Sequence, residues 1–200
     1  MFIQSLVNSC RAETFFRVVS VSGLLAVSII IVQVTDIKII IAYTRVAHMG
    51  FIPLTLYTMQ PVAISRGALM ILTHAFSSSG IFFVAFIIYK ASNSRRILIN
   101  KGLISFSPFL SIMWLIVILA SIGTPPTINL ISEILCISVA IKYYTLLAPI
   151  IGRAFVLTRA VHLLIFSSIS QGGASPGRIL SSQAPPADRA VAFYHVMITL

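Results

Sequence analysis

Among the ionisable side chains within or at the edge of long apolar runs of this 200-residue sequence, four are candidates for a common chemistry: Lys38, His48, His74 and Glu133. A charged group inside a membrane is costly and is by default a functional-site hypothesis. Imidazole titrates near neutral pH, and a buried carboxyl group readily exists in the neutral form. On three different helices, these groups would form a chain that passes protons, with water bridging the gaps. We therefore predict proton transfer by these four residues, and we assign no other catalytic group, bound cofactor or metal site.

Glu133 follows a proline break in an apolar run that extends over residues 104–141. Pro125 and Pro126 remove two backbone donors and disfavour helix just before them, so the sequence predicts a broken helix. A break beside an acid supplies free backbone groups and room for water, as in many transporters. Three polar side chains are available to the freed backbone groups: Thr127, Asn129 and Ser132.

The composition excludes a soluble domain, because 58% of the residues are hydrophobic and only 9% are charged. Several runs approach the roughly 20 apolar residues that cross a bilayer. They are uniformly apolar, whereas the strands of an outer-membrane barrel alternate. The formal charge of +10 comes mainly from residues between the runs, which favours topology signals and lipid contacts over nucleic-acid binding. The predicted fold class is an all-α, polytopic membrane helical bundle.

The apolar runs predict a tail at 1–13, a five-helix transmembrane unit at 14–168, a basic Ser/Gly/Pro-rich loop at 169–189 and the start of a final helix at 190–200. The run that contains the break is too long for one straight crossing at about 1.5 Å per residue. The five runs are 14–34, 37–57, 67–89, 104–141 and 144–168.

The basic residues predict the orientation of this unit. Four of them lie on side A, the face that precedes the first run, and seven lie on the opposite face, side B. Cytoplasmic and matrix loops carry an excess of Lys and Arg, so side B is predicted to be the cytoplasmic or matrix side. Side A holds Arg11, Arg17, Arg66 and Lys142, and side B holds Lys38, Lys90, Arg95, Arg96, Lys101, Arg178 and Arg189.

The remaining ionisable groups of the fifth run and the final helix receive structural interpretations. His162 and His195 have no partner in the interrupted helix and are interpreted as ordinary hydrogen-bonded histidines. Arg153 and Arg159 are interpreted as interface charges that pair with another subunit or a lipid headgroup.

Two other chemistries compete with proton transfer. His48 and His74 could be the axial ligands of a haem between two helices, which would make the chain a membrane cytochrome. A membrane hydrolase is disfavoured because no nucleophile and base occur at a recognisable spacing. Cys10 and Cys136 show no metal-binding or redox spacing.

Four segments resemble motifs of the antiporter-like membrane subunits of respiratory complex I, in the order in which that family has them. Thr35–Gly50 resembles TDxKxxIAYSSxxHM, and Thr73–Phe83 resembles xHGLxSSGLFxL. Ser94–Leu103 resembles the loop SRxxLxxxGL, and Pro125–Glu133 resembles PPTxNLxGE. Four motifs in this order make the resemblance specific.

This resemblance implies a fold of fourteen helices with two inverted five-helix repeats, of which the chain covers the second repeat and the start of the last helix. It also implies a central hydrophilic axis at Glu133, His74 and His48, with Lys38 as the motif lysine. The implied activity is proton translocation coupled to NADH:ubiquinone oxidoreduction, with FMN, iron–sulfur clusters and ubiquinone elsewhere in the complex. The implied partners are other membrane-arm subunits, a separate chain that supplies the N-terminal half, and lipids such as cardiolipin of the mitochondrial inner membrane.

The chain departs from the family pattern in three ways. The acid and the lysine pair of the first repeat have no counterpart here, which fits a gene split between the two repeats. Arg45 stands in place of a small hydroxyl residue, one turn from His48, and Ser132 stands in place of Gly beside Glu133, where we expect it to stiffen the break. Two alternatives stay open: a cation/proton antiporter subunit outside complex I, and a structural fragment without its own proton path.

Overall fold

The computed structural model of the chain describes residues 2–56, 58, 60–125, 127–171 and 186–199, and it describes no side chains before Thr14. Within these ranges the chain is helical and contains no strand, which confirms the all-α prediction. A 3-10 turn at Thr145–Leu147 precedes the seventh α-helix. The α-helices are α1 (Phe2–Ile31), α2 (Ile37–Leu56), α3 (Pro61–Ser92), α4 (Leu103–Phe106), α5 (Pro108–Ile122), α6 (Ile128–Tyr143), α7 (Ala148–Ser170) and α8 (Pro186–Thr199).

Several helices extend beyond the apolar runs, because helical backbone continues past the point where side chains become polar. Residues 2–13, predicted as a tail, belong to α1. Pro61 begins α3 rather than lying in a connection, since proline is favoured in the first turn of a helix. α8 likewise begins with Pro186, four residues before the predicted start. Pro126 and the predicted loop between 172 and 185 lie outside the described residues.

Five helical rods are long enough to cross a membrane when α5 and α6 are taken together. Four single segments meet the length and hydropathy of a span: Thr14–Ile31, Ile37–Leu56, Pro61–Ser92 and Thr145–Ser170. At about 1.5 Å per residue, the 15 residues of α5 and the 16 of α6 together measure about 46 Å, close to the about 48 Å of the 32-residue α3. Both α5 and α6 pack against α3, so the broken helix runs beside it as one interrupted rod.

The connections pair at the two ends of the unit, consistent with the side A and side B grouping. On side B, the amide of Ile37 donates to the Arg95 carbonyl at 3.0 Å, and the amide of Ile97 donates to the Thr35 carbonyl at 3.1 Å. At the other end, Arg66 Nη1 donates to Ser138 Oγ at 2.9 Å. The first two connections on side B therefore lie together, and α6 ends near the start of α3.

Two apolar cores form, with polar side chains between them. One core packs around Trp114 and includes Ile88 and Leu103 toward side B. The other packs around Phe51 and Phe155 toward side A. Along α2, α3 and α7, buried polar positions fall where one core gives way to the other. This polar layer consists of Arg45, His48, His74, Ser77, Asn129, Ser132, Glu133, Thr158 and His162.

Candidate functional site

Glu133 lies on the first turns of α6, directly beside the end of α5. Its side chain is 1% exposed. The Asn129 amide nitrogen, one turn earlier, donates to Glu133 Oε1 at 3.1 Å and to the Ser121 carbonyl at 3.2 Å. One amide thus holds the carboxyl group and also satisfies a carbonyl at the end of α5. The break therefore places the acid and fixes its orientation.

Gly123 makes room for the carboxylate. It ends α5 with a φ of +77°, a conformation that L side chains rarely adopt. A Cβ at this position would lie 3.0 Å from Glu133 Oε2 and 3.3 Å from its Cδ. Glycine is therefore required here for both the backbone turn and the close approach of the acid.

Arg159 of α7 is the counter-ion of Glu133. Its Nη2 donates to Glu133 Oε2 at 2.5 Å, and its guanidinium lies 5.7 Å from the centroid of the Phe155 ring. The sequence interpretation of Arg159 as an interface charge paired outside the chain is therefore wrong. The side chain as a whole is 34% exposed, so the helical unit encloses it only in part.

His48 of α2 faces the other carboxylate oxygen. Its Nδ1 lies 3.6 Å from Glu133 Oε1, just beyond hydrogen-bond distance. Its Nε2 lies 3.5 Å from Thr158 Oγ1, whose hydroxyl donates to the carbonyls of its own helix. The Thr158 oxygen is therefore an acceptor, which favours the proton of neutral His48 on Nε2 and leaves Nδ1 open toward the acid.

His74 of α3 contacts His48 and Arg45. The two imidazole rings pack edge to face with centroids 5.2 Å apart. Arg45 Nη1 lies 3.2 Å from His74 Nδ1 and donates to Ser77 Oγ at 2.8 Å. A guanidinium has only donors, so His74 accepts at Nδ1 and its neutral ring carries the proton on Nε2. Arg45 stands where the family pattern has a small hydroxyl residue, and it thus fixes the tautomer of His74.

The structure does not bring Lys38 into this cluster. Its Nζ lies over the rings of Tyr89, at 4.9 Å, and Phe86, at 5.9 Å, near side B. The other two histidines make local hydrogen bonds, as the sequence interpretation has them. His162 Nδ1 lies 2.9 Å from the Thr158 carbonyl, and His195 Nδ1 lies 3.0 Å from the carbonyl four residues before it.

The sequence contained a signal for the α7 contribution that charge counting alone missed. Phe155, Thr158, Arg159 and His162 recur at helical spacing and therefore share one face of α7. Three of these four side chains are polar, which is unexpected for a face directed at lipid. The spacing predicts that this face turns toward other polar groups, which is where the structure places Glu133 and His48.

Metal and haem ligation can be tested against this geometry. One ligand atom from each of His48, His74 and Glu133 lies within 4.8 Å of the others, which would suit a small cation. The guanidinium groups of Arg45 and Arg159 contact two of these three residues, and their charges oppose a cation there. The haem alternative would require the two imidazole rings, which now contact each other, to separate by the thickness of a macrocycle.

Relatives of known sequence match most of the chain. NADH-ubiquinone oxidoreductase chain 4 of Apis mellifera ligustica is 32% identical over 150 residues, which are 75% of this chain and 34% of that protein. The protein of the same name from Tropidolaemus wagleri is 30% identical over 186 residues, which are 92% of this chain and 79% of that protein. The chain thus spans about a third of the honeybee protein. The shared name of these relatives confirms the predicted resemblance to an antiporter-like subunit of complex I.

Two solved structures share the fold. Respiratory complex I from Thermus thermophilus with bound NADH contains a chain that matches with a TM-score of 0.86 and 22% identity, over 96% of this chain and 40% of that one. The Mrp complex from Dietzia sp. DQ12-45-1b contains another, with a TM-score of 0.83 and 18% identity, over 96% of this chain and 44% of that one. Residues 1–158 match the family model described as NADH:quinone oxidoreductase/Mrp antiporter, transmembrane. The chain therefore belongs to the NADH:quinone oxidoreductase/Mrp antiporter transmembrane family.

Proposed function

We propose that this chain is part of a proton-translocating membrane subunit of respiratory complex I and that Glu133, His48 and His74 relay protons through it. The observation that carries the proposal is a single carboxyl group, fully buried between two apolar cores, that faces one imidazole which contacts another. An ionisable group at this depth is costly and needs a compensating role. Helix α6, which carries the acid, begins at a break in the membrane-spanning rod.

The geometry supports one transfer step as part of this proposal. Neutral His48 presents Nδ1 to Glu133 Oε1, and a second proton on this ring makes an imidazolium that faces a carboxylate. Closing the 3.6 Å gap by under 1 Å forms a hydrogen bond, through which the proton passes from Nδ1 to Oε1. The ring then returns to its neutral form and the acid becomes neutral. His74 of α3, whose ring contacts that of His48 edge to face, is the next group of the proposed relay.

The relatives support a proposal for the setting of this relay. We propose the mitochondrial inner membrane as the location, with side B toward the matrix. Other membrane-arm subunits, a separate chain for the N-terminal half and lipids such as cardiolipin are the proposed partners. NADH oxidation and quinone reduction, with FMN, iron–sulfur clusters and ubiquinone, would occur on other subunits. Lys38, which lies outside the cluster, is proposed to serve proton exchange at the side B end.

Replacing Glu133 by Gln in the assembled complex tests the relay. The amide keeps the size of the side chain and removes the titratable oxygen, so the number of protons pumped per NADH should fall. Vesicle acidification measured beside NADH:quinone turnover gives this number. Asp188→Asn is the matched control, because Asp188 pairs with the exposed Lys90 on side B, where an ion pair contributes about 0–1 kcal/mol. Wild-type coupling in the Glu133→Gln complex would contradict the proposal and favour a structural segment.

The second candidate is an antiporter subunit outside complex I, which the fold similarity to the Mrp complex favours. Purification distinguishes the two. A complex I subunit should purify with flavin- and iron–sulfur-containing chains, whereas an antiporter subunit should purify without them.

A further inference from the structure

The Arg159–Glu133 pair joins a partly exposed side chain to a buried acid. The Glu133 side chain is 1% exposed and that of Arg159 is 34% exposed. Helices α6 and α7 have few direct contacts with each other, and the guanidinium bridges them. Its Nε is buried and has no hydrogen-bond partner among the described residues, so Nη2 is the atom that anchors it. The pair is therefore a direct contact between two helices that otherwise touch little.

The two carboxylate oxygens of Glu133 have different neighbours. Oε2 accepts from Arg159, whereas Oε1 accepts from Asn129 and faces His48 Nδ1. A proton that moves from the His48 imidazolium to Oε1 converts the carboxylate to a neutral acid. The His48 ring loses its positive charge and Glu133 loses its negative charge, so the net charge of the two groups together stays zero. Arg159 then faces a neutral carboxyl group and has lost its only ion-pair partner among the described residues.

We infer that Arg159 is a positioning residue that gates the relay: its guanidinium holds Glu133 ionised between transfers and must move outward from Oε2 when the acid takes up a proton. This inference rests on the proposed function of Glu133. The partial exposure of Arg159 gives the guanidinium a route, because a long side chain can extend along an apolar surface and keep its charged end in a polar region. Phe155, one turn earlier on α7, supplies a ring face beside its present position.

The other charged or titratable groups around Glu133 do not replace this counter-ion. On α2 these are Arg45, which is bonded to His74 and Ser77, and His48. On α3 the group is His74, and on α7 it is His162, which is bonded to a carbonyl of its own helix. Arg159 is the cation that directly contacts the carboxylate within the described part of the chain.

Arg159→Gln in the assembled complex tests the inference by infrared difference spectroscopy and by proton pumping. Loss of the counter-ion should leave Glu133 protonated at neutral pH, which adds the carbonyl stretch of a carboxylic acid. That band should vanish in the double variant Arg159→Gln/Glu133→Gln. Pumping in Arg159→Gln should fall to the Glu133→Gln level, with no further loss in the double variant. Arg159→Lys, which keeps the charge, should restore pumping and remove the band.

Arg153→Gln is the matched control, because Arg153 is an exposed arginine on the same helix. It should leave both readouts at wild-type values. If Arg159→Gln prevents assembly, the double variant decides: assembly restored by removing both charges supports the pair, and assembly still lost overturns it. Wild-type pumping without a new band in Arg159→Gln also overturns the inference. The relay itself fails separately, if Glu133→Gln pumps normally while the Arg159→Gln band is present.

Discussion

Gly123→Ala should impair the relay without removing any ionisable group. The substitution costs stability in two ways, and the structure gives a magnitude for each. First, a φ of +77° costs an L residue about 1–2 kcal/mol. Second, the new Cβ would lie 3.0 Å from Glu133 Oε2, against at least 3.4 Å for ordinary contact, so the oxygen must move by about 0.4 Å.

That movement acts on the contact with Arg159, which uses the same oxygen at 2.5 Å. A hydrogen bond to a charged group contributes about 1.5–3 kcal/mol, so losing half of it costs about 1 kcal/mol. Together with the backbone strain, we expect Gly123→Ala to cost about 2–3 kcal/mol locally. In an equilibrium between the ordered and disordered site, this is about a 30- to 150-fold change.

Gly152→Ala provides the matched control. Gly152 lies inside α7. Apart from the adjoining backbone of its own helix, no atom of the described residues lies within 4 Å of the position that a Cβ would occupy there, so the same change should stabilise that helix by about 0.5–1 kcal/mol. The assay is the half-life of coupled proton pumping during mild heating of the membranes, together with protons pumped per NADH before heating. Gly123→Ala should shorten the half-life and lower the initial coupling, whereas Gly152→Ala should do neither. Equal behaviour of the two variants would refute the assignment of Gly123 to the carboxylate site.

Two other substitutions test neighbouring contacts. Asn129→Leu should lower coupling and heat stability, because it leaves the Ser121 carbonyl and Glu133 Oε1 without their amide donor. Each unsatisfied buried acceptor costs about 1–3 kcal/mol of stability. Normal coupling at normal stability would contradict the role of this amide. Lys38→Gln should reduce protons pumped per NADH less than Glu133→Gln does, because Lys38 lies over Tyr89 outside the buried cluster; an equal reduction would place Lys38 on the main path.

The sequence by itself determined the membrane class, the order of the long helices and the position of the acid, but not the ends of the helices. Lipid cannot satisfy backbone polar groups, so long apolar runs must be helical, and this is a local property that composition reveals. The break before Glu133 was predictable for the same reason, since proline restricts its own backbone and that of the residue before it. The sequence also put His48 and His74 at membrane depth, and the tertiary structure places their rings in contact.

Only the tertiary structure decided which charges meet. Arg159 is 26 residues from Glu133, and Arg45 is 29 residues from His74. Whether such groups touch depends on the rotation of each helix about its axis, which is set by the packing of the two apolar cores and not by the residues of one helix. The same packing directs Lys38 toward an aromatic face and away from the acid. A long cationic side chain looks the same in a sequence whether it extends to a headgroup or turns inward. Here Arg159 turns inward and contacts the only carboxylate buried among the described residues.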